Sequence, residues 1–326
     1  MSENPKKDSE KNCLIIVSGG SGDCLLGFQC AELLKNKEIY QNVDLLCCVR
    51  PAVYEILETL FDGTKYQYCM SRHSDGEKWG ENHWILNNQE LLKQYTGPFG
   101  DKYDVFYYVV PDLLFRNPLA FDYKRYDISL SSIKEVRILR NEWAGANSKK
   151  IVVNLNTTTL NYDYKHTFEL VKYLAEEELP DYEILVPLIT EWAGIPISFD
   201  KRFVEDKLKD NIKVILNPSI KQSIDDLKYS CFGIFTDNGM SHVAFQLGME
   251  RLLLTCRFGD GIQSLAWESR WYENGFQDQI HNNTNPRAIS DLVATLIKIP
   301  ETRLISKFNV LNNLHQDWSH FLFFKY

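Results

Sequence analysis

Apolar residues recur along the chain in short continuous runs, each followed by a polar or small-residue break and then a helix-length segment. The first run is LIIVS at 14–18; GGSGD follows at 19–23, then CLLGFQCAELLK at 24–35. In that helix Leu25, Leu26, Cys30, Leu33 and Leu34 fall on or near one face. The same order of events recurs at KIVVNLN (150–156), which passes through TTTLNYDY into KHTFELVKYLAEEE at 165–178. Further strands are predicted at VDLLCCV (43–49), YQYC (66–69), DVFYYVV (104–110), YEILVPL (182–188), IKVILN (212–217), FGIFT (232–236) and RLLLTC (251–256). Helices are predicted at PAVYEILETLF (51–61), SIDDLKYS (223–230), MSHVAFQLG (240–248) and PRAISDLVATLIK (286–298). Strands that are apolar throughout are buried on both faces, so the pattern predicts an α/β chain with parallel sheets covered by helices.

The two strand–loop–helix openings divide the chain into halves, as its 326 residues also suggest. Between them ILRNEWAGANSKK (138–150) gathers Gly, Ala, Asn and Ser ahead of a new first strand, which places a hinge near residue 147. The expected domains are 1–147, with residues 1–12 as a solvated tail, and 148–300. The aromatic-rich segment 301–326 is expected to pack back on the first domain.

Composition narrows the function class. The net charge is −8, from 44 acidic and 36 basic residues, which argues against a nucleic-acid-binding surface. Eight cysteines occur without a CxxC pair, so neither a zinc site nor a disulfide framework is expected. That usage fits a reducing, cytoplasmic compartment. No apolar run reaches the roughly 20 residues of a membrane helix, and no secretory leader is expected.

Two segments carry chemistry. In GGSGD, the glycines allow a tight turn after the strand and bring backbone N–H groups near a ligand at the start of a helix. The spacing is neither GxGxxG nor GxxxxGK[ST]. Asp23 has two readings that do not exclude each other: it caps that helix, and it stands at the carboxyl end of the strand, where it can take a proton from an attacking hydroxyl. Gly20, Ser21 and Gly22 form the loop beside it. In FTDNGMSHVAFQLG, Asp237, Asn238, Gly239, Met240, Ser241 and His242 cluster polar groups and free amides at a second helix start, suited to a diphosphate. The plain alternative is an Asp-Asn-Gly turn with His242 filling a polar crevice.

GGSGDCLLGFQCAELLK resembles the N-terminal Gly-Asp motif of the lipopolysaccharide heptosyltransferases, glycosyltransferase family 9. TDNGMSHVAFQLG resembles the Asp-Thr-Gly-x-x-His motif with which that family binds its donor. The resemblance implies a GT-B fold: two Rossmann-like domains facing a central cleft, with a C-terminal helix crossing back to the first. It also implies inverting, metal-independent transfer of a sugar from a nucleotide-diphosphate donor, ADP-heptose-like or another, with no cofactor. Asp23 matches the family's general base, and residues 237–242 match the donor loop.

Lys165 aligns with a family lysine that contacts donor phosphate, or is an exposed helix lysine; the hydroxyls of Thr157 and Thr158 also come within reach of phosphate. The expected acceptor is a glycan or lipid-linked glycan, with peripheral membrane association left open. Arg50, and Arg72, His73 and Lys78, are either contacts for an anionic acceptor or solvated surface charges. Asn238 stands where the family has threonine, the lysine motif lacks its usual tryptophan, and residues 70–145 match no family segment. A nucleotide-sugar hydrolase or epimerase on the same fold, or a non-catalytic sugar-nucleotide or glycan binder, are the alternatives.

Overall fold

A computed structural model describes residues 9–18, 21–48, 56, 57, 59, 103–109, 136, 143–156, 164–192, 195–236, 238–249, 252–255, 277–280 and 285–298. The chain divides into two compact units, residues 1–140 and 141–326. The second unit begins a few residues ahead of the expected hinge near 147, and Trp143 and Ala144 are tied into it. Trp143 N–H donates to the Leu247 carbonyl (3.1 Å), its indole Nε1 to the Ser230 carbonyl (2.7 Å), and Ala144 N–H to the Lys228 carbonyl (2.9 Å).

In the first unit, β1 (Asn12–Ser18) lies between β2 (Asn42–Cys48) and β3 (Val105–Val109), all parallel. Helix α1 (Ser21–Asn36) joins β1 to β2 and packs on β1; Leu25, Phe28, Cys30 and Leu34 of the helix and Cys13, Leu14 and Ile15 of the strand are all buried. Polar groups tie the amino ends of the strands together. Asn12 N–H donates to Asp104 Oδ2 (2.9 Å), Asn42 Nδ2 to Asn12 Oδ1 (2.7 Å), and Tyr103 OH to Asp44 Oδ2 (2.7 Å). Cys13, Cys24, Cys30 and Cys231 are buried thiols that form no disulfide, and burial pushes the Cys30 thiol up to about 12. They behave as small apolar core residues. Ile56, Leu57 and Thr59 are helical, within the predicted 51–61 helix; the expected strand at 66–69 and the segment 301–326 lie outside the described residues.

The second unit holds a six-stranded parallel sheet. Its strands are β4 (Lys150–Asn154), β5 (Glu183–Leu188), β8 (Ile212–Leu216), β9 (Phe232–Thr236), β10 (Leu252–Thr255) and β11 (Gln277–Ile280). The order across the sheet is β11-β10-β9-β4-β5-β8. Renumbered in chain order, this is 3-2-1-4-5-6, the doubly wound arrangement of dinucleotide-binding domains. Its helices are α2 (Thr167–Tyr173), continued by a π turn at Leu174–Glu178, α3 (Arg202–Glu205), α4 (Ile220–Lys228), α5 (Gly239–Gln246) and α6 (Pro286–Lys298). A two-stranded hairpin, β6 (Glu191–Trp192) and β7 (Ile195–Pro196), follows β5.

Every residue of β9 is buried, as are four of five in β4 and five of six in β5, so the apolar runs sit between helix layers. Strand β8 forms an edge and mixes buried Ile212 with exposed Lys213 and Leu216. Phe168, Leu170, Val171 and Leu174 of α2 and its extension share one core with Ile289, Leu292, Val293 and Leu296 of α6. Among the described residues no helix is long and apolar enough to cross a membrane.

Two predicted helices begin earlier than their apolar patterns. Helix α4 starts at Ile220 because Ser219 caps it, its hydroxyl accepting from Gln222 N–H at 3.1 Å. Helix α1 starts at Ser21, so Asp23 lies inside its first turn rather than ahead of it as a capping residue. Only Gly19 and Gly20 separate β1 from α1, and Ser21-Gly22-Asp23 already belongs to the helix.

Candidate functional site

In a doubly wound sheet, ligands bind beyond the carboxyl ends of the strands, where successive connections leave in opposite directions. In the second unit that switch point lies between β4 and β9. From β4 the chain moves outward through β5 and β8, then returns to β9 on the other side of β4. The loops that leave β4 and β9 there are the two that carry the candidate donor residues.

Strand β9 ends at Thr236 and α5 begins at Gly239. Asn238 is the N-cap, in extended conformation (φ −132°, ψ 173°), and its Oδ1 accepts the Ser241 N–H at 3.1 Å. Its amide nitrogen donates to Asn154 Oδ1 (3.2 Å), to the Asn154 carbonyl (3.4 Å) and to Thr236 Oγ1 (3.1 Å). The Ser241 hydroxyl donates back to the Asn238 carbonyl at 2.7 Å. Both side chains are thus engaged by the protein itself. What α5 offers a ligand is the N–H groups of Gly239 and Met240, for which no partner occurs among the described residues, together with the positive end of the helix.

Helix α5 is buried from Ser241 onwards, and Ser241 has no exposure at all. It closes with a Schellman cap. Gly248 takes a left-handed φ of 89°, its N–H donates to the Phe245 carbonyl, and Met249 N–H reaches the Ala244 carbonyl, each at 3.0 Å. The candidate donor turn is therefore the amino end of a buried core helix. His242, one position beyond Ser241, is buried with it and retains 7 % exposure.

Three strand ends are stitched together around this point. Ladder pairing of β4 with β5 stops at Val152 and Leu185, and the two strands separate beyond it. Asn156 bridges the gap: its Oδ1 accepts from Ile189 N–H (2.9 Å) and its Nδ2 donates to the Ser198 carbonyl (3.3 Å). Asn154 faces the other way, to Asn238. Both asparagines are buried, with 8 % and 9 % exposure. Neither they nor Thr236 figured among the sequence candidates. The signal was present in KIVVNLN, where two amides interrupt an apolar strand two residues apart.

Near Ser198, an ionic cluster fastens the segment before α3 to α2. Arg202 reaches Asp200 Oδ2 and Glu169 Oε1, both at 2.6 Å, and its guanidinium lies 4.4 Å over the Phe168 ring. The hydrogen bond from Arg202 holds the Asp200 carboxyl below its ordinary value. Burial works against the charge of Glu169, yet Arg202 outweighs it and that carboxyl too is lowered.

Lys165 is exposed in the turn ahead of α2. Ser21 and Gly22 are buried in the first turn of α1, and the backbone of Asp23 follows them. Among the described strands, the carboxyl end of β1 is also a switch point, with β2 on one side and β3 on the other. Asp237, Thr157, Thr158, Gly20, Arg50, Arg72, His73 and Lys78 lie outside the described residues. Among the described residues no group of three or more His, Cys, Asp or Glu is placed to hold a metal ion.

No family model matches the chain, and no curated protein matches it. Solved structures do. The E. coli heptosyltransferase WaaC with ADP superposes with a TM-score of 0.52 at 14% identity, covering 87% of this chain and 99% of that one. A putative UDP-N-acetylglucosamine 2-epimerase from Listeria monocytogenes superposes at 0.50 with 13% identity, covering 91% of this chain and 90% of its own. Both similarities extend over the two units, and at these identities they speak for fold. The α/β chain described here has the GT-B type of fold to which its two glycine-bearing motifs pointed.

Proposed function

We propose that this chain is a glycosyltransferase whose second unit holds a nucleotide-diphosphate sugar at the amino end of α5. The carrying observation is the capped start of α5 at the β4/β9 switch point, where the Gly239 and Met240 N–H groups have no partner among the described residues. Such an arrangement binds a diphosphate through oriented amides and the helix dipole. As the sugar–oxygen bond breaks, negative charge grows on the departing diphosphate, and preset dipoles offset it without reorganising. In this reading Asp23 accepts the proton of the acceptor hydroxyl while that oxygen attacks the anomeric carbon from the opposite face. The new glycosidic bond forms with inversion and without a metal. General-base assistance of this kind is worth ~10²–10⁴ in rate. A glycan or lipid-linked glycan is the proposed acceptor, and Lys165, Thr157 and Thr158 are proposed to assist at phosphate.

Thermal-shift measurements against ADP, UDP, GDP and their sugars test the donor site. A ligand at a hundred times its dissociation constant stabilises the fold by ~2.7 kcal/mol. With the best donor, Asp23→Asn should abolish transfer while leaving donor affinity unchanged. An Asp23→Asn variant with full turnover would refute the base assignment.

The fold likeness to the putative epimerase favours one second reading, conversion of the nucleotide sugar without an acceptor. Following the donor alone by NMR separates the two: a new epimer, or release of free sugar, supports the second. Binding without turnover under any condition supports a sugar-nucleotide binder.

A further inference from the structure

We propose that Asn154 is a positioning residue for the diphosphate site, acting through Asn238; the proposal rests on the donor reading above. A primary amide has two N–H donors and one carbonyl oxygen. Here the oxygen caps Ser241, one N–H goes to Thr236 Oγ1, and the other goes across the switch point to Asn154. Asn238 therefore joins the ends of β9 and β4, reaching a residue 84 positions away in the chain, while also fixing the first turn of α5. Asn154 is buried, so its oxygen is a fixed acceptor rather than a solvated one.

A threonine at 238 would cap the helix with its hydroxyl, but it is too short to reach β4 at the same time. The asparagine in its place couples the first turn of α5 to the end of β4, and Asn154 is the anchor. Removing the anchor frees the cap to turn and lets the Gly239 and Met240 amides drift from the direction a diphosphate needs. The loss is set by orientation, not by any contact of Asn154 with the ligand.

A double-mutant cycle on the full chain tests this, with ADP, UDP and GDP as probes in calorimetry. Asn154→Ala should weaken whichever diphosphate binds best by about five- to tenfold, the worth of one net hydrogen bond. Asn238→Thr should weaken it similarly while keeping the helix capped. In the Asn238→Thr background, Asn154→Ala should then change affinity less than about twofold, because coupled residues are not additive. A purely structural role for Asn154 would give the same loss in both backgrounds, and that result overturns the proposal, as does unchanged affinity in Asn154→Ala. Should that variant fail to fold, Asn238→Thr alone carries the test, and unaltered binding there overturns it.

A parent chain that binds none of the three probes sinks the donor reading. Hydrogen exchange at the Ser241 amide then decides on the crosslink alone: faster exchange in Asn154→Ala supports it, and equal exchange refutes it.

Discussion

Gly145 offers a direct test of whether the segment before β4 is hinge or core. A methyl group placed there would sit 2.0 Å from the Ser230 carbonyl oxygen, 2.5 Å from its carbon and 2.7 Å from Trp143 Nε1. Two of these are backbone atoms, and they cannot yield cheaply. Ser230 is fully buried, its hydroxyl bonds the Asp226 carbonyl at 2.6 Å, and the next residue, Cys231, donates to the Lys150 carbonyl at 2.8 Å. Moving the Ser230 carbonyl also disturbs the Trp143 indole bond it accepts.

Overpacking of this kind costs about 1–3 kcal/mol, and the indole bond adds about 0.5–1.5 kcal/mol. Gly145→Ala should therefore destabilise the chain by about 2–4 kcal/mol, read from urea melts monitored by tryptophan fluorescence. For a unit of this size each kcal/mol lowers Tm by roughly 2–4 °C. Trp143→Phe removes only the indole contact, so alanine at 145 should remain costly in that background. If 145 were part of a free hinge, the alanine would be neutral or mildly stabilising by reducing unfolded-state freedom. A change within about 0.5 kcal/mol, the range of an ordinary surface substitution, would refute the packing described here.

Two further predictions follow from the second unit. Asp200 and Glu169 have folded-state pKa values below their unfolded ones, so the stability they contribute is complete above the unfolded values, near 4, and is lost as pH falls through the folded ones. The stability gap between the parent and Arg202→Met should therefore shrink below about pH 4, and a gap that is constant with pH would contradict the ionic account. Asn217 holds a left-handed φ of 46° while its Oδ1 accepts the Thr190 N–H at 2.8 Å. Asn217→Ala should cost about 2 kcal/mol from the lost bond and the left-handed backbone, and Asn217→Asp clearly less in the same melts; the reverse order would be wrong for this geometry.

How far the sequence could be read depended on what each feature needs for its definition. The strands β4, β5 and β9 were legible because burial on both faces leaves an uninterrupted apolar run, and helix α6 because its apolar stripe spans its whole length. Strand β11 was not, since Gln277-Asp278-Gln279-Ile280 forms an edge of the sheet and carries no apolar pattern. The starts of α1 and α4 were placed late for a related reason: a first turn is fixed by backbone and cap, and its residues need not be apolar. Glycine and asparagine at 145–147 read as a hinge, although Gly145 is there because Ser230 leaves no room for a side chain.

The candidate site divides along the same line. That residues 238–242 open a helix at a strand end is local information, and the spacing of Asp-Asn-Gly before an apolar stretch carried it. That Asn238 spends its amide on Asn154 is not local, because it requires β9 to lie beside β4. Hydrophobic periodicity says that a segment is a strand but not which strand is its neighbour, so the residues that hold a site in place stay hidden until strand order is known. Asn154 and Asn156, two polar interruptions in an apolar run, were the visible trace of that order. A buried amide in such a position must bond to something, and at the end of a central parallel strand the available partners are the loops at the carboxyl edge of the sheet, where doubly wound folds bind ligands.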